Sequence, residues 1–415
     1  MRSSTPVAIV GAGPYGLSVA AHLAGAGLRP RIFGDAMQTW RSFMPNGMVL
    51  KSEGFAMNLS DPSGSYTLEA HCRDQSIPYQ ATGWPVPVEV FAGYGETFQK
   101  RFVPQLEETE VRHIARGDHG LALTLATGET VEARHVVLAT GIRPYARTSP
   151  QLLSDLPSDR VTHSGDQGDM ERFRGCKVAV IGGGASAMDA AAALHRSGAT
   201  AVAITHRPEV RFYAPNGFRD RFLAPLTPLG PGWKKQLCCK WPDLFHALPQ
   251  RVRLDIVARY LGPSPAWSVR DIVRDHVDLR LSTHLTRAEV TGDQVTLTMN
   301  AASGGTTTLA VDHVIAATGY DVDIDRLTLL DASLRADLQQ DGKSLRLNSA
   351  FETRVKGLHV VGTPAAASFG PMLRFVCGSA FAARRTAGEI CRREGAQRMP
   401  ATQALTRGAM PLSEA

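Results

Sequence analysis

The residues of this chain best suited to chemistry are backbone groups presented by two glycine-rich turns. The first turn is Gly11-Ala12-Gly13-Pro14-Tyr15-Gly16. It succeeds the apolar run Val7-Ala8-Ile9-Val10 and precedes a helix-forming stretch from Leu17 to Ala26. The second is Gly182-Gly183-Gly184-Ala185-Ser186-Ala187, between Val178-Ala179-Val180-Ile181 and the run Met188 to His195. Strand, glycine turn and helix in that order form a dinucleotide fingerprint. One glycine makes the tight turn, another lets backbone N–H groups approach a pyrophosphate, and the last small residue lets helix and strand pack closely. The helix then meets the anion with the positive end of its dipole. Two such turns imply two dinucleotides, and a protein that holds two passes electrons between them.

The strands on the C-terminal side of the two turns differ. An acid at the end of the second strand ordinarily takes the ribose hydroxyls. After the strand Arg31-Ile32-Phe33, Gly34 stands in that place with Asp35 beside it. Asp35 is either that ribose ligand or a plain turn residue. The matching strand after the other turn runs Ala201-Val202-Ala203-Ile204-Thr205-His206-Arg207. Arginine in place of the acid suits a 2′-phosphate, which a guanidinium can hold through two N–H bonds. Arg211 adds a second charge nearby; the alternative is a pair of solvated loop arginines. The reading favours NADPH in this half.

These turns need a scaffold, and the pattern alternates strand and helix as a parallel sheet layered by helices requires. A chain of 415 residues is too long for one core and suggests two or three domains. The loop-rich stretch 40–87 comes first, then a helix near 91–104, then a meander. The meander closes with His135-Val136-Val137-Leu138 and ends in Ala139-Thr140-Gly141. Residues 174–314 repeat the plan, and His313-Val314-Ile315-Ala316 ends in Ala317-Thr318-Gly319. The predicted fold is α/β, with two Rossmann-like dinucleotide-binding domains, the second inserted in the first. The first comprises 1–173 and 315–392, the second 174–314. A small helical insertion at 214–267 is rich in aromatics and is either a packed subdomain or a wall of the substrate pocket. Residues 393–415 read as a loose tail.

Composition excludes several classes. Hydrophobic content of 43% and charged content of 20% fit a globular enzyme. The net charge of +6 is spread out, so no block resembles a nucleic-acid arm; it is either background or a means of steering an anionic cofactor. No apolar run is long enough to span a bilayer, and the first strand begins too near Met1 for a signal peptide. The six cysteines contain no C-x-x-C pair and read as reduced thiols. The expectation is a cytoplasmic protein with no membrane, nucleic-acid or metal partner, and homo-oligomerisation is left open.

Both turns, the Ala317-Thr318-Gly319-Tyr320 signature and the loop from Lys51-Ser52-Glu53-Gly54-Phe55 through Asn58-Leu59-Ser60-Asp61-Pro62 resemble the class B flavin monooxygenases. Within the two-dinucleotide-domain flavoproteins, that group includes the lysine and ornithine N-hydroxylases. The resemblance spans roughly residues 5–390. It implies FAD on the N-terminal turn, with Trp40, Thr140, Gly141, Gly362 and Thr363 in the cofactor set. It also implies NADPH on the second turn, with Thr318, Gly319 and Tyr320 at the junction. NADPH would reduce FAD, O2 would add at C4a, and the peroxyflavin would oxygenate a soft nucleophile, an amine nitrogen of a small molecule. The family's signature between the domains survives only as His163-Ser164. Pro157, Asp159 and Gln167 stand where Phe, Gly and an aromatic residue would be. The flavin-side asparagine has no direct counterpart, and spacing offers Ser52 or Asn58. His163 is either a junction residue shaping the nicotinamide pocket or a structural histidine. The segment Phe369-Gly370-Pro371-Met372-Leu373-Arg374-Phe375 is read as opening a helix to about Arg392, with Pro371 at its start. Such a helix end would stabilise the anion formed on flavin reduction, with Phe369, Met372 and Thr363 near the ring; the alternative is an ordinary helix start. The second reading is an NADPH-dependent flavin oxidoreductase or oxidase that moves electrons without inserting oxygen. A third is a flavoprotein sensor or binding module without turnover.

Overall fold

The computed structural model describes residues 2–396 apart from 148–151, 214–223, 261–263, 303, 339 and 342. The first sheet holds the strand Arg2–Val10, whose C-terminal half from Val7 onward is buried. It pairs in parallel with Arg31–Phe33 on one side and Thr130–Leu138 on the other. Burial on both faces explains why this run is continuously apolar rather than alternating. The strand Thr130–Leu138 serves two neighbours. Its first half runs antiparallel to Gly120–Leu125, and its second half takes Leu358–Val360 in parallel. The chain thus returns to its first sheet only after completing the second.

That second sheet is wholly parallel, in the order Asp278–Arg280, Thr200–Ile204, Lys177–Ile181, His313–Ala316, Val161–His163. Its edge strand Val161–His163 lies before the expected boundary at 173. Three residues are too short for the alternation pattern to reveal, and their place is set by pairing Val161 with Val314 and His163 with Ala316. An antiparallel meander of Thr283–Thr291, Gln294–Ala301 and Thr306–Val311 covers this half.

The helix Pro14–Gly25 packs on Ser379–Arg393, so the two ends of the first half close on each other. Leu17 and Leu23 are fully buried there, and truncating either to alanine would cost roughly 2–5 kcal/mol. Arg393 pairs with Glu352 at 2.6 Å, and Glu394 pairs with Arg134. These first residues of the expected tail are therefore docked; 397–415 lie outside the described residues. In the insertion, Trp233–Lys240, Pro242–His246 and Gln250–Arg259 are helices. Trp233 and Trp241 point largely to solvent, whereas Cys238, Phe245 and Val257 are buried, so these two tryptophans do not form the core of a packed subdomain. The start of the insertion, 214–223, lies outside the described residues.

Candidate functional site

Gly11 and Gly182 occupy the same seat in the two halves. At Gly11, φ is +108° and a Cβ would stand 2.4 Å from the carbonyl oxygen of Ala139. At Gly182, φ is +150° and a Cβ would stand 2.3 Å from that of Ala317. Only glycine fits either position. Gly13 has nothing within 4 Å of a Cβ, which leaves its backbone open to a ligand. Gly16 packs helix on turn: a Cβ there would lie 1.9 Å from the Gly11 oxygen. Pro14 opens the first helix, and Gly184 caps Ala185–Arg196; neither cap residue supplies a side chain to the free N–H groups. Both helix ends are therefore able to receive an anion.

The first turn borders a cleft of about 450 Å³. Tyr15, Asp35, Trp40 and Ser52 line it, and on the opposite side so do Thr140, Gly141, Gly362 and Thr363. Ser186 of the second half and Tyr320, just past the second sheet's strand His313–Ala316, also line it. Both Asp35 oxygens accept from Arg41 at 2.6 Å, which fixes the carboxylate at the rim. Trp40 packs edge-on against Phe91 with ring centres 4.7 Å apart.

Three expected residues do not line this cleft. Asn58 braces its own loop, accepting from the Leu68 N–H at 2.8 Å and donating to the Phe55 carbonyl at 3.2 Å. Phe369 is fully buried and stacked on Phe351, ring centres 4.1 Å apart. Met372 is buried beside it in the core. The expected long helix is also broken: Pro371–Arg374 and Val376–Gly378 are 3₁₀ turns, and the α-helix begins only at Ser379. The Tyr15 hydroxyl lies 2.8 Å from the carbonyls of both Leu373 and Phe375, outside any helical ladder. Burial raises the Tyr15 pKa well above its ordinary value.

Between the halves is a second cavity of about 370 Å³ lined by Gln38, Thr140, Arg143, His163 and Tyr320. The His163 ring meets Tyr320 edge-on at 5.2 Å, and its Nδ1 accepts from the Gly165 N–H at 3.0 Å. Burial lowers the His163 pKa and pushes that of Tyr320 up to about 12. Near neutral pH both are uncharged. Thr318 and Gly319 stand behind Tyr320 and brace the neighbouring loop: the Thr318 hydroxyl donates to the Arg147 carbonyl, and the Arg147 N–H donates to Gly319 at 2.8 Å. At the second turn the Arg207 side chain lies close to the glycines, 3.1 Å from where a Gly183 Cβ would be. Arg211 is instead exposed and paired with Glu209. Ala185 begins the second helix and Ala187 is buried within it.

Sequence reasoning missed three charged groups at the junction. Asp189 lies on the helix Ala185–Arg196, in a run otherwise of Ala, Met and Leu, and that lone acid was the available signal. It lines a small cavity of about 80 Å³ with Met44, Met48, Ser186 and Tyr320. Its Oδ1 is buried with no hydrogen-bond partner, and burial lifts its pKa to about 7 against the pull of Lys51 and Arg196. Lys51 crosses between the halves, donating to the Ser264 carbonyl at 2.8 Å with its ammonium 4.9 Å from the centre of the Tyr213 ring. Arg374 lines the cleft beside Phe375. Among the described residues no cluster of His, Cys, Asp or Glu could hold a metal, the six cysteines are unbonded, and no helix is long and apolar enough to cross a membrane.

Two glycine turns, each between a parallel strand and a helix of its own sheet and meeting at one junction, define the class of two-dinucleotide oxidoreductases. Residues 5–227 match the pyridine nucleotide-disulphide oxidoreductase family, and the chain belongs to it. It is similar to a ferredoxin–NADP reductase of Ignicoccus hospitalis, 24% identical over 362 residues, covering 86% of this chain and 90% of that protein. In structure it is similar to an ornithine N-hydroxylase of Kutzneria sp. 744, solved with reduced FAD, NADP+ and L-ornithine. There the TM-score is 0.77 at 19% identity, over 94% of this chain and 100% of that one. It is also similar to the ornithine hydroxylase of Pseudomonas aeruginosa, with a TM-score of 0.73 at 19% identity over 94% and 100% of the two chains. These likenesses establish the α/β fold.

Proposed function

We propose that this protein is an FAD- and NADPH-dependent monooxygenase that oxygenates an amine nitrogen of a small molecule. The observation that carries the reading is the meeting of the two halves. The cleft of the first glycine turn reaches Ser186 of the second half and Tyr320, in the loop that leaves the second sheet's strand His313–Ala316. Two cofactors bound end to end there would have their reactive rings in reach of each other. Gly13 and the uncapped helix end fit a pyrophosphate, Asp35 a ribose, and Arg207 the 2′-phosphate of NADPH. Bound FAD would supply the transfer of electrons from NADPH to O2 and of oxygen to substrate; the protein's part is to bind, orient and exclude water. Met44, Met48 and Tyr320 wall the junction, and neutral His163 shapes it without adding charge. The amine is favoured because two proteins of similar fold are ornithine hydroxylases.

The likeness to a ferredoxin–NADP reductase favours a second reading, electron transfer without oxygen insertion. Transfer to a disulfide is disfavoured because the sequence has no C-x-x-C pair. NADPH oxidation measured against amines, amino acids and sulfides, with analysis of the products, separates the two. A product carrying one added oxygen supports the monooxygenase. Hydrogen peroxide equal to the NADPH consumed, with every candidate unchanged, supports the electron-transfer reading.

A further inference from the structure

The first cleft is lined by a cation, Arg374, that no acid meets in an ion pair among the described residues. Arg374 lines the cleft, and among the described residues no hydrogen bond or ion pair engages its side chain. Asp321, the neighbour of Tyr320 at the junction, is the acid that acts on it, but Asp321 makes its contact with Lys343 at 3.9 Å. The Arg374 side chain is exposed along the cleft and is charged at neutral pH. A guanidinium on the cleft wall with no partner among the described residues is open to a charge-assisted contact with an anion that enters the cleft.

The backbone around it is fixed by the first glycine turn. Tyr15 belongs to that turn, and its hydroxyl contacts the carbonyls on either side of Arg374, at Leu373 and Phe375. Phe375 is held extended, with φ −119° and ψ 161°, so the guanidinium is carried on a braced bend rather than a helix. The turn that would receive one end of a dinucleotide therefore also places Arg374. Lys51 is the other cation of this cleft, and its ammonium is committed to Ser264 and Tyr213 across the junction. The helix end expected to supply positive potential starts later, at Ser379.

We propose that Arg374 is the group that holds the negative charge formed on the pyrimidine edge of the flavin during reduction. The inference rests on the proposed binding of FAD in this cleft. Hydride transfer moves two electrons and one proton from NADPH to the neutral oxidised ring. The products are NADP+ and a reduced ring bearing one negative charge at N1 and its neighbouring carbonyl, where a guanidinium forms a charge-assisted contact.

The test uses flavin-loaded protein and needs no turnover. The midpoint potential is measured against pH for wild type, Arg374→Gln and Arg374→Lys. Below the pH at which the reduced ring loses its N1 proton two protons accompany two electrons, and above it one does, so the break in slope reports that proton's affinity. In Arg374→Gln the potential should become more negative and the affinity should rise about ten- to a hundredfold, the range of one charge-assisted contact. Arg374→Lys should fall between; if the glutamine variant retains no flavin, the lysine variant carries the comparison with a smaller shift. An unchanged potential and break in flavin-loaded variants overturn the proposal. A loss confined to KM for carboxylate-bearing amines also overturns it, by assigning Arg374 to substrate. Wild-type protein that takes up no flavin overturns the cofactor reading and this inference with it.

Discussion

Gly11 and Gly182 meet the carbonyls of Ala139 and Ala317 at nearly the same distance, yet the residues five positions later differ. Gly16 has no room for a methyl group, whereas the second turn has Ala187 in that seat, fully buried with its Cβ accommodated. The first helix is pressed onto its turn and borders a long cleft; the second stands off by about one methyl group. The second strands diverge as well: Asp35 is held by Arg41 at the rim of the first cleft, while Arg207 leans over the second turn. One plan, repeated, differs in a methyl group and in a charge. The second helix also carries Ser186 and Asp189 into the junction.

The largest effect should come from removing the packing difference. Gly16→Val places atoms inside the Gly11 carbonyl and should abolish soluble folded protein. Ala187→Val adds two methyl groups to a packed core and should fold with a stability loss of about 1–3 kcal/mol. Denaturation midpoints of the two variants check this; equal tolerance would mean the turns are packed alike.

Next in size is cofactor choice. Losing a charge-assisted contact costs ~1.5–3 kcal/mol, or about one to two decades in affinity. Arg207→Ala should therefore weaken NADPH by that amount and NADH little, as binding titrations would show. Equal losses would remove Arg207 from the 2′-phosphate.

A third effect is one of pH and concerns Asp189. The folded protein keeps this carboxyl protonated up to about pH 7, the unfolded chain only to its ordinary 3.8. Between those values the folded state binds the extra proton, so this group lowers stability as pH rises through that window. Asp189→Asn cannot ionise and should gain stability relative to wild type from about pH 4 to 7 in thermal scans. A constant difference across that range would place the titration elsewhere.

Both turns were legible because glycine at a left-handed φ leaves a mark in sequence that few other residues can imitate. The place of Arg207 beside the second turn was suggested for a similar reason, since its charge stands where the pattern expects an acid. Lys51, Asp189 and Arg374 were not, because their importance comes from what surrounds them after folding. Asp189 is buried by the loop around Met44 and Met48, which is distant in sequence. The segment 369–378 misled because proline after glycine suggests a helix start, whereas Tyr15, at the other end of the chain, captures the carbonyls that a helix would use. The strand Val161–His163 was invisible because pairing alone defines it.

The division of labour between the turns is tested most directly by purifying Gly13→Val and Gly184→Val in parallel and adding NADPH without oxygen. We expect Gly13→Val to fold but emerge colourless, because a side chain would fill the space through which backbone meets the pyrophosphate. We expect Gly184→Val to emerge yellow and to stay oxidised at NADPH concentrations that bleach wild type. A colourless Gly184→Val beside a yellow Gly13→Val would contradict the account by exchanging the two sites.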